Sequence, residues 1–248
     1  MNKIVLGAKF ALSYFTLLPI RFDKSDDLSH PRVLKSMLLS FPFVGVLLAV
    51  LTIVVFAALE PLGWLGAIIA AVLYMVLYGF IHTEAVIDIA DAVHAAHSGK
   101  DAYEIIKDPT VGAMGVLYGM SFTLLKVAAL SSLLMHHLFL PFIAIALISR
   151  LSLLVLIRTY EFRSSFVTQL HANLRTAPLV LLIALCAGIG FYLLSWLFLV
   201  LFAAGVLTAL FLSYAAKKSL GFINGDVLGM SLEGVELVLI ITALLTCR

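Results

Sequence analysis

Three carboxylates, Glu84, Asp88 and Asp91, follow a long apolar run in a chain that is 63% hydrophobic and only 12% charged. Their i, i+4, i+7 spacing predicts one helix face, a turn apart. Like charges so placed repel by a few tenths of a kcal/mol per pair. A divalent cation would convert that repulsion into a binding site. Oxygen-only ligation suits Mg²⁺, with Mn²⁺ as the alternative, and Mg²⁺ usually takes one or two carboxylates plus substrate phosphates. The competing reading is a solvated surface whose acids simply face water. Against it, Ala85, Val86, Ile87, Ile89, Ala90 and Ala92 interleave with the acids, leaving an acidic stripe opposite a face apolar enough to pack.

Around the stripe runs the longest polar segment of the chain, residues 82–115, with His82, Glu104, Lys107 and Asp108 as further candidates. Glu104 and Asp108 are again four apart, and Pro109 ends their helical stretch. Gly112 and Gly115 then turn the chain, either for close approach to a phosphate or for tight helix packing. His94 and His97 lack the third ligand that zinc would need. A second segment, residues 221–236, carries an Asn224-Gly225 turn signal and then Asp226, Glu233 and Glu236 on one helical face. These acids would complete a second metal position or bind a cationic or hydroxyl-rich substrate. Lys126 and Arg150 are the basic residues expected deep inside spans. Cations there need partners, so they are either a structural ion pair or contacts to phosphate.

A mean hydropathy of +1.14 over the whole chain excludes an ordinary soluble domain and predicts a single membrane domain covering residues 1–248. The predicted spans fall at about residues 37–59, 64–81, 114–134, 140–157, 177–193, 197–214 and 232–246. Backbone groups in lipid must pair internally, so the fold class is all-α: a polytopic bundle of about seven helices. The N-terminal stretch, Met1 to Ile20, reads as an interfacial helix that stays on the protein, because Lys9 interrupts its apolar core and Pro19 closes it. Basic residues mark alternate connections: Arg21, Lys24, Arg32 and Lys35; Lys100 and Lys107; Arg158, Arg163 and Arg175; Lys217 and Lys218. Only the terminal Arg248 departs from the pattern. The positive-inside rule makes that face cytoplasmic. Every Asp and Glu except Glu60 belongs to the same side, which predicts a cytoplasm-facing site at an inner membrane. Cys186 and Cys247 predict neither a disulfide nor a thiolate metal site. No basic stripe interleaved with aromatics supports nucleic acid as a partner.

Taken together, these residues resemble cobalamin synthase, the adenosylcobinamide-GDP ribazoletransferase family. Gly79, Phe80, His82, Glu84, Asp88 and Asp91 lie on that family's G-F-H-x-D-G-x-x-D-x-x-D-G pattern. Glu104, Ile105, Lys107, Asp108, Gly112 and Gly115 lie on E-I-M-[RK]-D-S-R-x-G-x-x-G. Lys126 falls on a family lysine and Ser149-Arg150 on a Ser-Arg pair. Gly225-Asp226, Leu228-Gly229, Glu233 and Glu236 match the terminal T-G-D-x-L-G-x-x-x-E-x-x-E. Near the start, Thr16, Leu18 and Pro19 match F-[LI]-T-R-[LI]-P, and Phe41-Pro42 with Gly45 matches F-P-x-x-G. The likeness spans nearly the whole chain. Departures are Glu84 for the first aspartate, Ala85 and Ala92 for glycines, Pro109-Thr110 for Ser-Arg, and Leu17 for arginine. The loop after Arg163 also lacks the usual Gly-Leu-Gly. Two arginine forks, which would hold phosphate bidentately, are thereby lost.

The resemblance implies transfer, dependent on Mg²⁺, of the adenosylcobinamide phosphoryl group from adenosylcobinamide-GDP to α-ribazole or its 5′-phosphate, with release of GMP. It implies that Glu84, Asp88 and Asp91 carry the metal and that Lys126 and Arg150 steady phosphoryl oxygens. The group that orients or deprotonates the attacking hydroxyl is then Asp226, or Glu104 with Asp108. Partners expected besides these substrates are the lipid bilayer and either a second copy of the chain or other cobalamin-assembly enzymes. Two other readings compete. A phosphotransferase of the CDP-alcohol type would carry a D-G-x-x-A-R element, which Ala85-Val86-Ile87-Asp88 does not supply. A transporter or membrane anchor would bring polar residues to both faces, and the outer connections are nearly bare of charge.

Overall fold

In a computed structural model, residues 2–99, 101–108 and 110–247 are described. Met1, Lys100, Pro109 and Arg248, used above as terminal, topological and helix-end markers, lie outside the described residues. The fold is all-helical. Among the described residues, six helices are long and apolar enough to cross a membrane: α2 (Pro31–Leu59), α6 (Ala113–Met135), α7 (Phe139–Thr159), α9 (Thr176–Leu194), α10 (Trp196–Leu220) and α11 (Gly225–Thr246). This makes it a multi-pass membrane protein. α1 (Lys3–Phe15) lies along α2, capped by Asn2, whose side chain accepts from the Ile4 N–H. α7 and α11 are the most enclosed of the six spans, and α9 and α10 flank them with large lipid-suited residues such as Leu181, Leu207 and Phe211 exposed.

The expected span at 64–81 is resolved differently. α3 (Trp64–Leu77) has 14 residues, about 21 Å of helix at 1.5 Å per residue. That is short of a roughly 30 Å hydrocarbon core. After it, Gly79 (φ +65°) and Phe80 (φ +56°) both take left-handed backbone, and α4 (Ile81–His97) leaves at 81° to α3. A left-handed phenylalanine is uncommon and persists only where its surroundings enforce it. The Gly79-Phe80 corner therefore makes α3 and α4 a bent pair in place of one straight span, a seventh crossing beside the six if the two together count as one. The short α5 (Ala102–Lys107) and α8 (Ser165–Asn173) complete the same end.

Helix direction alternates so that Arg32, Arg158, Arg175, Lys217 and Lys218 share one end of the bundle with α4. The final span also begins earlier than hydropathy suggested. Asn224 caps α11 by accepting from the Val227 N–H at 3.1 Å, so Asp226, Glu233 and Glu236 all stand on this helix.

Candidate active site

α4 is held against two spans by close approach. Its Ala85 meets α11 where a Cβ on Gly229 would stand only 2.8 Å from the Ala85 Cβ, so a side chain there would push the helices apart. Ile87 packs into the glycine notch of α6, and Ile89 joins a small apolar cluster with Ala216, Ile223 and Val227. The faces of α4 that carry Ala85, Ile87 and Ile89 are thus covered, while Glu84 is exposed and Asp88 and Asp91 are half-buried. Asp91 reaches the start of α6, where its Oδ2 accepts from the Gly112 N–H at 3.0 Å.

The structure brings the acid of the second polar segment to this stripe. Asp226, in the first turn of α11, is close enough to Asp88 to raise its pKa. Partial burial is the largest cause of the Asp88 shift. The negative charges of Asp226, Glu84 and Asp91 add to it, and together they push the carboxyl up to about 6. Asp226 itself accepts from the Asn224 side-chain amide at 2.6 Å.

Lys126, Arg150, Glu233 and Glu236 form a separate, fully buried cluster. Lys126 pairs with Glu233 and also with Glu236 at 2.7 Å, and Arg150 pairs with Glu236. The two cations and two carboxylates cancel. Hydroxyls add to the shell: Tyr78 donates to Glu233 at 2.6 Å, Thr83 donates to it at 3.0 Å, and Tyr74 donates to Glu236 at 2.7 Å. Arg150 also donates to Ser149 at 2.9 Å and to Tyr74 at 3.1 Å. Gly45 makes room for it, since a Cβ there would lie 2.7 Å from the Arg150 Cδ. Of the two roles open to Lys126 and Arg150, the geometry displays the ion pair. The cluster joins α3, α4, α6, α7 and α11, and Thr83, the residue before Glu84, ties it directly to the acid stripe.

Other candidates stand apart. Glu104 is exposed and 3.8 Å from Lys107, which lies over the Tyr103 ring. Asp108 is exposed and accepts from the Thr110 N–H and hydroxyl at 2.9 and 2.7 Å. His82 is buried at the start of α4, facing the Phe15 and Phe41 rings. Burial, with Arg150 next in effect, pushes its pKa down to about 3, so the ring is neutral. His94 packs near Tyr118, and His97 contacts the Val93 carbonyl at 2.6 Å.

Sequence reading missed the hydroxyl shell of Tyr74, Tyr78 and Thr83. Two tyrosines one turn apart in a span, whose hydroxyls need partners when buried, were the available signal. It also missed Arg163, whose guanidinium lies 3.7 Å from the Tyr103 ring centre and whose N–H donates to the Ile223 carbonyl at 2.8 Å, fastening α5 to the approach to α11.

Among the described residues no three His, Cys, Asp or Glu side chains converge closely enough to hold a metal ion by themselves. An all-protein cage is therefore not what the site offers. A partly buried group of mutually repelling carboxylates does fit Mg²⁺ held by one or two carboxylates and completed by phosphate oxygens and water.

Comparison with known proteins decides the family. The cobalamin-5-phosphate synthase family model matches residues 7–244. The chain belongs to that family. Among its relatives, the adenosylcobinamide-GDP ribazoletransferase of Chlorobium chlorochromatii (strain CaD3) is 31% identical, over 96% of each chain. Proteins of the same name from Clostridium perfringens (strain SM101) and Chlorobaculum tepidum are 29% and 28% identical, over 91% and 93% of this chain and 92% and 91% of theirs. No solved structure matches the chain. Within this member of the family, the departures from the family pattern are unevenly placed. Glu84 stands on the acid face, Ala85 at the α4–α11 crossing, and Leu17 beside the Gly79 corner. The Lys126–Arg150 cluster carries no departure.

Proposed function

We propose that the chain is an adenosylcobinamide-GDP ribazoletransferase that moves the adenosylcobinamide phosphoryl group onto α-ribazole or its 5′-phosphate and releases GMP. The observation that supports this reading is the nearness of Asp226 to Asp88 and Glu84, which with Asp91 makes a negative, partly buried surface with no use in a passive anchor. Mg²⁺ bound there would offset the pyrophosphate charge and that of the departing GMP. Glu84 and Asp88 would hold it, beside Asp91, whose carboxylate accepts from the Gly112 N–H.

Among candidates for the base, the geometry favours Asp226. It lies at the acid face, whereas Asp108 is engaged by Thr110 and Glu104 faces solvent beside Lys107. Asp226 would accept the proton of the attacking hydroxyl, with Asn224 orienting its carboxylate. Lys126 and Arg150 act through structure in this scheme: their cluster fixes α4 on α11 through Thr83 and Glu233. The site faces the cytoplasm of an inner membrane, on the basic end of the bundle.

The decisive assay supplies adenosylcobinamide-GDP, α-ribazole and Mg²⁺ to the purified protein in detergent and follows GMP. Release that requires all three components is expected. Absence of GMP with both ribazole and its phosphate would defeat the assignment.

A further inference from the structure

A cavity of about 150 Å³ lies between α1, α2, α4, α7, α8 and α11, beside the acid face. Its lining is mostly apolar and aromatic. The Phe15 and Phe41 rings lie 4.0 Å apart, with the His82 ring 6.1 and 6.5 Å from them, and Leu170 of α8 contributes to the wall. Two features interrupt the apolar surface. Asp226 belongs both to the lining and to the acid face. His82 lines the cavity with only 6% of its surface exposed, and among the described residues no hydrogen bond engages its ring. Buried polar groups are ordinarily paired, so an imidazole with no protein partner on the wall of a cavity is available to pair with a guest.

Resting on the reaction proposed above, we infer that this cavity seats the base of the acceptor: a single uncharged aromatic heterocycle that hydrogen-bonds His82 while its sugar hydroxyl reaches Asp226. The size agrees, since cavities near 150 Å³ admit a benzene-sized ring. The walls offer edges and faces of aromatic rings, which suit a flat guest. Rings with a carboxylate also suit a quaternary ammonium ion, but such an ion has no hydrogen-bonding atom to pair with the His82 ring. An acyl chain would likewise leave His82 unpaired.

The test is equilibrium dialysis of α-ribazole against the detergent-solubilised full chain, without donor or Mg²⁺, with benzimidazole and tetramethylammonium as competitors. Leu170→Trp fills the cavity and His82→Phe removes its polar atoms while keeping a ring. Each is expected to weaken α-ribazole binding at least about tenfold, while Mg²⁺ affinity and the unfolding midpoint stay near those of the parent. Benzimidazole should compete and tetramethylammonium should not. Unchanged affinity in both variants, displacement by tetramethylammonium, or failure of benzimidazole to compete would overturn the assignment. If Leu170→Trp does not fold, His82→Phe alone decides. Binding that follows these expectations without any GMP release would sink the transfer reaction and leave the cavity's role standing. GMP release with an acceptor KM indifferent to both variants would do the reverse.

Discussion

α4 and α11 meet at two polar regions built from similar residues, and the two differ in how charge is answered. In the first, Lys126 and Arg150 lie between Glu233 and Glu236, enclosed by the hydroxyls of Tyr74, Tyr78 and Thr83. In the second, Asp88 lies near enough to Asp226, Glu84 and Asp91 to feel the charge of all three, and neither buried cation serves them. Four charges that cancel in a dry interior make a structural joint, because their attraction is satisfied internally. Four charges of one sign, half in water, remain able to attract something from outside. Charge number alone does not separate a joint from a site. The difference lies in whether the partner belongs to the chain.

The comparison breaks most visibly where the joint is opened. Lys126→Met leaves Glu233 and Glu236 facing Arg150 alone in a buried setting, and removing one partner of such a pair costs about 3–5 kcal/mol. A large drop in the unfolding midpoint in detergent is expected. Adding Glu233→Gln to that variant rebalances the charge and should recover part of the loss. A variant as stable as the parent would show that the cluster is not a joint. On the other region the expected effect is on turnover. Asp88→Asn should reduce GMP release by about 10²–10³-fold, the range for losing one transition-state charge contact, with expression and membrane insertion unchanged. Parental activity from that protein would remove Asp88 from the site.

Thr83→Val is the intermediate case, because Thr83 belongs to the joint and its neighbour Glu84 to the site. Valine keeps the shape but takes one donor from Glu233, a loss of about 1–3 kcal/mol for a buried acceptor. Stability should fall by less than in Lys126→Met, and the Mg²⁺ concentration needed for half-maximal rate should rise as the first turn of α4 loosens. A stability loss with no change in Mg²⁺ demand would separate the two regions completely.

Much of this was readable in the chain. Apolar runs marked the six long spans, because each must bury about twenty residues in lipid, and the i, i+4, i+7 acids marked the face of α4. The corner at Gly79-Phe80 was not readable, since hydropathy continues across it and only backbone conformation reveals the 81° turn. The turn signal at Asn224-Gly225 and the acids on one face marked the start of α11, but hydropathy placed the span itself later, for the opposite reason. Glu233 and Glu236 lower the local hydropathy, although their charges are neutralised by residues from α6 and α7. The cavity was invisible because Phe15, Phe41, His82, Leu170 and Asp226 come from five different helices. The alternative roles of Lys126 and Arg150 could be posed from sequence, but choosing the ion pair needed the distances.

The smallest effect is also the most selective for the uncompensated region. Burial first, then Asp226, Glu84 and Asp91, raise the Asp88 carboxyl to about 6, against about 3.9 for an unperturbed aspartate. Between those values the folded protein binds more protons than the unfolded chain, so without divalent cation its stability must fall as pH rises from about 4 to 6. Mg²⁺ competes with the same proton, so its affinity should weaken as pH is lowered through 6, and binding near pH 6 should release a proton that binding at pH 8 does not. Other groups titrate in this window, which makes the informative quantity the difference between the parent and Asp88→Asn. That difference should appear in the unfolding midpoint measured in chelator from pH 4 to 8, and it should shrink when Mg²⁺ is added at pH 8. Coincident curves for the two proteins would mean that Asp88 does not feel its acidic neighbours, and the contrast between the two regions would lose its electrostatic basis.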